Sequence, residues 1–194
     1  MTRPLQRVPA DDPVLLLRAL ARALDGSGPA VQPVPAVGRS LSTGADGSRP
    51  DGSGRQPDDE EEVPDEVAVV IATSGSSGYP KRVALSVAAL LTSARASNAA
   101  LGGPGGWVLA MPAHYVAGVQ VLVRSLVSGT EPVLPVGARF EPAAFAAAVR
   151  QVRDRDARSY SALVPAQVAR LLDDAAGSAA LAALDAVIVG GQAV

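Results

Sequence analysis

Short apolar segments alternate with longer segments of helical period after Pro64, and this alternation constrains the fold more than any other feature. The apolar segments are VAVVIA, WVLAM, PVLPV, SYSALVP and AVIVGG. Successive strands that are joined through a helix lie parallel in a sheet, because a crossover connection returns the chain to the same end. The sequence therefore predicts an α/β fold over residues 65–194, with a layered parallel-type sheet and crossover helices.

An amphipathic helix is predicted near the start of the chain. Asp12 can cap it with Pro13 at its first position, and Leu16, Leu20 and Leu24 then fall on one face. Residues 1–36 are accordingly interpreted as an N-terminal helical segment of the domain.

Residues 37–64 differ in composition from the rest of the chain. They are dense in Gly, Ser, Pro and Asp and have few apolar side chains. Such a segment buries too little surface to offset the entropy of ordering, so it is predicted to be a flexible insert. The acidic run Asp58–Glu62 is interpreted as part of a solvated linker, with a metal-binding patch as the alternative.

The segment TSGSSGYPKRV (Thr73–Val83) lies between a predicted strand at Val67–Ala72 and a short one at Arg82–Leu85. It contains the only lysine of the chain, Lys81. Because Lys81 is followed by arginine rather than serine or threonine, the loop departs from the Walker A pattern. Its hydroxyls, backbone N–H groups and lysine suit an anion such as a nucleotide phosphate. A solvent-exposed Gly/Ser hairpin is the alternative.

The bulk composition excludes several classes of function. With 17 basic and 19 acidic residues, the chain offers no field for nucleic acid or an anionic membrane. It has no cysteine and one histidine, which excludes disulfide scaffolds, thiolate zinc sites and multi-histidine metal sites. No apolar run is long enough for a membrane span and the start lacks a secretory signal, so a cytoplasmic protein without membrane insertion is expected.

The loop TSGSSGYPKRV closely resembles the phosphate-loop signature of the adenylate-forming (ANL) superfamily, which includes the acyl-CoA synthetases. The segments MPAHYVAGVQVLVRSL, SALVPAQVARLL and AVIVGGQAV resemble further motifs of that superfamily, in its order. Together they look most like the o-succinylbenzoate–CoA ligases of menaquinone biosynthesis. The resemblance covers roughly Val67 to the end, plus the N-terminal helix.

The resemblance implies an ATP-dependent reaction in which a carboxylate forms an acyl-adenylate and coenzyme A then displaces AMP. ATP, Mg²⁺ and coenzyme A would be its substrates and ion. The implied phosphate-binding residues are Thr73, Ser74, Gly75, Ser76, Ser77, Gly78 and Lys81. The implied acyl-substrate and gate residues are His114, Tyr115, Arg124, Gly190, Gly191 and Gln192.

Some of these assignments have alternatives. The family order of the gate pair is aromatic then histidine, whereas here histidine comes first, so the gate is either His114 or Tyr115. The alternative for His114 is a hydrogen-bonded structural residue. Arg124 lies in an apolar stretch, where it suits the second carboxylate of o-succinylbenzoate or, alternatively, snorkels or forms an ion pair.

Three functions are weighed for the whole protein. The first is an o-succinylbenzoate–CoA ligase, and the second is another acyl- or aryl-CoA synthetase or an adenylation domain. The third is a non-catalytic nucleotide-binding module. The family's catalytic lysine of the C-terminal domain is not in this sequence, so an incomplete domain that continues past Val194 is expected, inactive alone. Partners are small molecules only, and a homodimer is left open.

Overall fold

The computed structural model describes residues 1–35, 61–73, 81–137 and 139–191. Residues 37–60 of the predicted insert, the loop residues 74–80 and Gln192 lie outside the described residues. Within the described ranges the strands are β1 (Thr2–Pro9), β2 (Ala30–Val34), β3 (Glu62–Pro64), β4 (Val67–Thr73), β5 (Lys81–Ser86), β6 (Gly106–Val108), β7 (Ser159–Leu163) and β8 (Ala186–Val189). The helices are α1 (Pro13–Leu24), α2 (Val87–Ala100), α3 (Val116–Ser128), α4 (Pro142–Arg155), α5 (Pro165–Leu172) and α6 (Ala175–Ala183).

Five strands form a first, mixed sheet in the order β3-β1-β2-β4-β5. The three central strands are parallel, and β1 connects to β2 through helix α1. Both edges are antiparallel, since β3 pairs with β1 and β5 forms a hairpin with β4. The α/β prediction is confirmed, and the antiparallel edges are a feature that it did not include.

The seam between β2 and β4 is unusual for the centre of a sheet. Within these two described strands, the register pairing is confined to Val31 and Val69. Two residues further along β2, Pro33 has no N–H to donate, which explains why the ladder does not extend there. Val31 and Val69 are both fully buried, so apolar packing adds to the single register pair at this seam.

The second sheet contains three parallel strands in the order β6-β7-β8. Its side chains alternate between two buried faces, as expected for a sheet covered on both sides. Trp107 and Tyr160 point toward the core that includes α1, α2 and α3. Val108 and Leu163 point the other way, into a core built with α4, α5 and α6. This second sheet carries most of the candidate site.

Helix boundaries follow local sequence signals. Asp12 accepts a hydrogen bond from the Leu15 N–H at 2.9 Å, which caps α1 as predicted. Ser86 accepts from the Ala89 N–H at 3.2 Å and caps α2. Helix α3 ends at Gly129, whose φ of 69° is a left-handed conformation that suits glycine.

Several local predictions were wrong. Residues 1–36 contain strands β1 and β2 as well as the predicted helix. The end of the predicted insert is ordered as β3, because its backbone pairs with β1 and Val63 is buried. PVLPV is not a strand: Val133 forms an isolated bridge with Val108, and Pro132 and Pro135 limit further pairing. Helix α6 was not predicted.

Across the described part of the chain, no helix combines the length and the apolar character that spanning a bilayer requires.

Candidate functional site

The carboxyl ends of β6, β7 and β8 meet at one edge of the second sheet, because the three strands are parallel. The segments that follow them carry His114 and Tyr115 after β6, Val164 after β7, and Gly190 and Gly191 after β8. In open α/β sheets, ligands bind at this edge. The topology therefore places four of the predicted acyl-site residues in segments at the same edge of the sheet: His114, Tyr115, Gly190 and Gly191.

Gln167 fixes the positions of two of these segments relative to each other. Its Nε2 donates to the Ala110 carbonyl oxygen at 2.8 Å, and its Oε1 accepts from the Val164 N–H at 3.0 Å. The amide thus links the chain after β6 to the chain after β7. Gln167 was not among the predicted site residues. Its signal was the spacing, since glutamine at the third helical position is the residue that reaches back to the N-cap N–H.

His114 and Tyr115 lie side by side at the start of helix α3. Their ring centroids are 4.2 Å apart and the rings are tilted by 47°. Tyr115 is 54% exposed, whereas His114 is partly buried. Burial lowers the pKa of His114 below its usual value, so the imidazole is neutral at neutral pH. A neutral imidazole beside an exposed phenol suits the wall of a pocket for an uncharged part of a substrate.

Gly118 lets the loop that carries His114 fold over the start of α3. A Cβ built at Gly118 would overlap the Pro112 carbonyl oxygen and would lie 2.8 Å from the Ala113 Cα. Real Cβ atoms essentially never approach backbone atoms so closely. Glycine is therefore required here by close approach of the backbone.

Gly190 and Gly191 end the edge on the β8 side. The Gly190 N–H donates to the Leu163 carbonyl oxygen at 3.2 Å, which continues the pairing of β8 with β7. Gly191 has a φ of +91°, where other residues are strained. Both glycines are exposed, so a ligand can approach their backbone. Gln192 lies outside the described residues, and its predicted role stays a prediction.

Arg124 lies on helix α3, roughly two turns beyond the helix start at Val116. It is 8% exposed, and its guanidinium carbon is 5.1 Å from the centre of the Trp107 ring. Among the described residues, the Arg124 Nε has no hydrogen-bond partner. Burial lowers the pKa of Arg124, yet an arginine remains protonated at neutral pH. Arg124 forms no ion pair among the described residues, while its role in substrate binding and the alternative of a snorkelling side chain both stay predictions.

The residues that flank the predicted phosphate loop belong to the first sheet. Thr73 ends β4 and is paired in register with Lys81, which begins β5. Thr73 and Lys81 are therefore the last pair of the hairpin before residues 74–80, which connect its two strands. Lys81 is exposed. Ser74, Gly75, Ser76, Ser77 and Gly78 lie outside the described residues, so their role also stays a prediction.

No group of three or more His, Cys, Asp or Glu residues within the described ranges is placed to hold a metal ion. The described residues therefore do not form a dedicated metal cage, whereas Mg²⁺ in nucleotide sites is usually held by one or two carboxylates together with the phosphates.

Comparison with known proteins places the chain in a family. Residues 10–194 match the family of AMP-binding enzymes. A protein of Mycobacterium tuberculosis, "Probable 2-succinylbenzoate--CoA ligase", is 44% identical over 178 residues, which cover 91% of this chain and 43% of the relative. The chain thus spans less than half the length of this relative.

Solved structures agree on the fold. O-succinylbenzoate coenzyme A synthetase from Bacillus subtilis, in complex with AMP, has a TM-score of 0.53 and 23% identity, covering 66% of this chain and 31% of that one. Amide bond synthetase McbA from Marinactinospora thermotolerans has a TM-score of 0.56 and 26% identity, covering 96% of this chain and 35% of that one. On the family match and the shared architecture, the chain belongs to the AMP-binding enzymes.

Proposed function

We propose that the complete protein is an AMP-forming acid–thiol ligase that joins o-succinylbenzoate to coenzyme A in menaquinone biosynthesis. The observation that carries this proposal is Arg124, a buried cation whose Nε lacks a partner among the described residues. The relative that is 44% identical, named as a probable 2-succinylbenzoate–CoA ligase, supports the same substrate.

The proposed reaction has two steps. A carboxylate oxygen of the substrate attacks the α-phosphorus of ATP, which forms an acyl-adenylate and releases pyrophosphate. The thiol of coenzyme A then attacks the acyl carbon, loses its proton, and displaces AMP. Thr73, Ser74, Gly75, Ser76, Ser77, Gly78 and Lys81 are proposed to hold the departing phosphates. Charge develops on those oxygens during the first step, so preorganised donors stabilise it.

Arg124 is proposed to bind the carboxylate of o-succinylbenzoate that does not react. The planar guanidinium presents several N–H donors that match a carboxylate. A buried arginine gains most from such a partner, because an unpaired buried charge is costly. The pocket would run from the strand edge, where the reacting carboxylate lies, along α3 to Arg124.

His114 and Tyr115 are proposed to line the entrance of this pocket, with Gly190, Gly191 and Gln192 on the opposite side. The neutral His114 suits contact with the uncharged middle of the substrate. Tyr115 is the more exposed of the two, which favours it as the ring that moves when the thiol enters. Comparing the rate of the thiol step in His114→Ala and Tyr115→Ala distinguishes them.

No residue is named as a ligand of Mg²⁺, which in nucleotide sites is usually held by one or two carboxylates together with the phosphates. In this proposal the ion accompanies the phosphates of ATP. Since ATP and coenzyme A are substrates, the reaction is proposed to occur in the cytoplasm, with small molecules as the partners.

The test uses the complete reading frame of the source DNA. Thioester formation is followed in a coupled assay with ATP, coenzyme A and o-succinylbenzoate, beside benzoate and octanoate. Arg124→Ala should abolish the preference for o-succinylbenzoate. Lys81→Ala should lower kcat/KM by roughly 10- to 150-fold, the value of one charge-assisted hydrogen bond. Arg150→Ala, an exposed arginine on α4, is the matched control and should have no effect.

Two results would decide against the proposal. If octanoate or benzoate is turned over in preference to o-succinylbenzoate, the protein is an acyl-CoA synthetase of another specificity. An absence of turnover with every acid, together with retained ATP binding, would favour a non-catalytic nucleotide-binding protein.

A further inference from the structure

We propose that Trp107 is a positioning residue for substrate recognition: its indole ring holds the Arg124 guanidinium in the orientation that receives the second carboxylate of the acid. This inference rests on the proposed function and extends it to a residue that does not itself contact the substrate.

The two side chains form a buried cation–π pair. The Arg124 guanidinium carbon is 5.1 Å from the centre of the Trp107 ring. Trp107 has no exposed surface, and Arg124 is 8% exposed. A cation within about 6 Å of an indole face is attracted to it, and the attraction strengthens when water is excluded. The pair therefore meets both conditions for a substantial interaction.

The indole ring also packs against a second aromatic ring, that of Tyr160 on the adjacent strand β7. Its centroid is 5.1 Å from that of Tyr160, with the rings tilted by 51°. The Tyr160 hydroxyl can donate to the carbonyl oxygens of Leu101 at 3.0 Å and Gly103 at 3.1 Å, just beyond helix α2. The position of Trp107 is thus fixed by a second buried ring that is tied to the backbone.

The aromatic partner also leaves donors of Arg124 available. Among the ion pairs of the described residues, none involves Arg124. A carboxylate from the protein would stabilise this cation but would occupy the N–H groups that a substrate carboxylate needs. A ring face attracts the cation without accepting its in-plane hydrogen bonds. Trp107 therefore lowers the cost of burying the charge and keeps the guanidinium competent to bind.

The test compares two acids in the complete protein: o-succinylbenzoate and 4-oxo-4-phenylbutanoate, which is the same molecule without the ring carboxylate. Trp107→Leu removes the aromatic face, whereas Trp107→Phe keeps a smaller one. Leu122→Ala is the matched control. It truncates a fully buried side chain on α3, the helix that carries Arg124, and leaves both Arg124 and Trp107 unchanged in sequence.

Trp107→Leu should raise the KM for o-succinylbenzoate by about 30-fold, which corresponds to the ~2 kcal/mol of a desolvated cation–π contact. Trp107→Phe should raise it by only about 3- to 5-fold. The kcat for o-succinylbenzoate should change by less than about 3-fold in these variants. The kcat and KM for 4-oxo-4-phenylbutanoate should also change by less than about 3-fold, since this acid lacks the second carboxylate. Leu122→Ala should affect both acids equally.

Binding gives a readout that is independent of turnover. Trp107 is the only tryptophan of residues 1–194. Its fluorescence is obtained by subtracting the tryptophan fluorescence of Trp107→Phe from that of the wild-type protein. A carboxylate that pairs with Arg124 alters the charge beside the ring. We expect o-succinylbenzoate to change this emission and 4-oxo-4-phenylbutanoate not to.

The possible outcomes separate this inference from the proposed function. A rise in KM that is confined to o-succinylbenzoate and is restored by phenylalanine supports it. If Trp107→Leu and Leu122→Ala impair both acids alike while Arg124→Ala alone removes the preference, the positioning role is refuted and the proposed function stands. If the wild-type protein does not distinguish the two acids, both are refuted.

Discussion

Gln167 offers a direct test of how the candidate edge is assembled, through the replacements Gln167→Leu and Gln167→Glu. The side chain makes one hydrogen bond to the Ala110 carbonyl at 2.8 Å and one from the Val164 N–H at 3.0 Å. Leucine has a similar size and makes neither bond. Glutamate can keep the bond from Val164, but its ionised form cannot donate to Ala110.

The magnitude follows from the two bonds. A hydrogen bond contributes about 0.5–1.5 kcal/mol, so losing both should lower the local opening free energy by about 1–3 kcal/mol. Amide hydrogen exchange of peptides that cover residues 108–116 and 163–168 measures this opening. Protection factors in Gln167→Leu should fall by roughly 5- to 150-fold in these peptides.

The glutamate variant adds a pH dependence of known sign. In Gln167→Glu, the introduced carboxyl can donate to the Ala110 oxygen when it is protonated, whereas the carboxylate faces that oxygen without a proton. The pKa of the introduced carboxyl should therefore be raised in the folded state above its usual ~4.3. A raised pKa gives stability that is present at low pH and is lost as the pH rises through the folded value.

Protection in Gln167→Glu should accordingly increase from pH 8 to pH 5, while the leucine variant should not change. Protection factors divide out the intrinsic pH dependence of exchange, so the comparison isolates the side chain. Equal protection of the glutamate and leucine variants at every pH would show that the Ala110 bond does not hold the edge together.

Three further predictions concern the second sheet and the segments that adjoin it. Gly118→Ala should displace the loop at Pro112, because its Cβ would overlap the Pro112 carbonyl oxygen, and we expect kcat/KM to fall by about 10-fold or more, since small misplacements at a site are costly. Tyr160→Phe loses the hydroxyl bonds to Leu101 and Gly103 and should lower the free energy of unfolding by about 0.5–1.5 kcal/mol in urea titrations. Hydrogen bonds from Ser159 lower the pKa of Asp185 in the folded protein. The ionised Asp185 therefore contributes to folding stability above its unfolded pKa, and this contribution is lost as the pH falls through the folded pKa. Asp185→Asn should therefore flatten the fall of the melting temperature below about pH 4.

The sequence predicted those elements whose cause is local. Helix α1 was predicted from Asp12 and the leucine spacing, and the Asp12 cap bond is present. Strand β1 was missed because its inward-facing side chains include Arg3, whose guanidinium donates to the Ala23 carbonyl at 3.1 Å. An arginine that binds the end of a helix packed beside it has no signature in a short window. Helix α6 was missed because AAGSAALAA has no contrast between two faces.

In the candidate site too, residues that belong to local motifs were predicted, whereas residues that depend on tertiary contacts were not. His114, Tyr115, Gly190 and Gly191 were predicted from motifs, and the parallel topology places them on one edge. Gln167, Gly118 and the contact of Trp107 with Arg124 depend on residues that meet only after folding. Trp107 is fully buried, and its proximity to Arg124 required the packing of α3 on β6.

The seam between β2 and β4 has a thermal consequence. The ladder does not extend to Pro33, and the two parts of the first sheet are joined by one register pair of fully buried valines, Val31 and Val69. Apolar attraction weakens as water cools, whereas hydrogen bonds in the rest of the sheet do not share that dependence. The β4–β5 hairpin, which presents both ends of the predicted phosphate loop, thus depends more on apolar burial than the β1–β2 pair, which has five register pairs. We expect low temperature to loosen this hairpin from its neighbours before it disturbs the β1–β2 pairing.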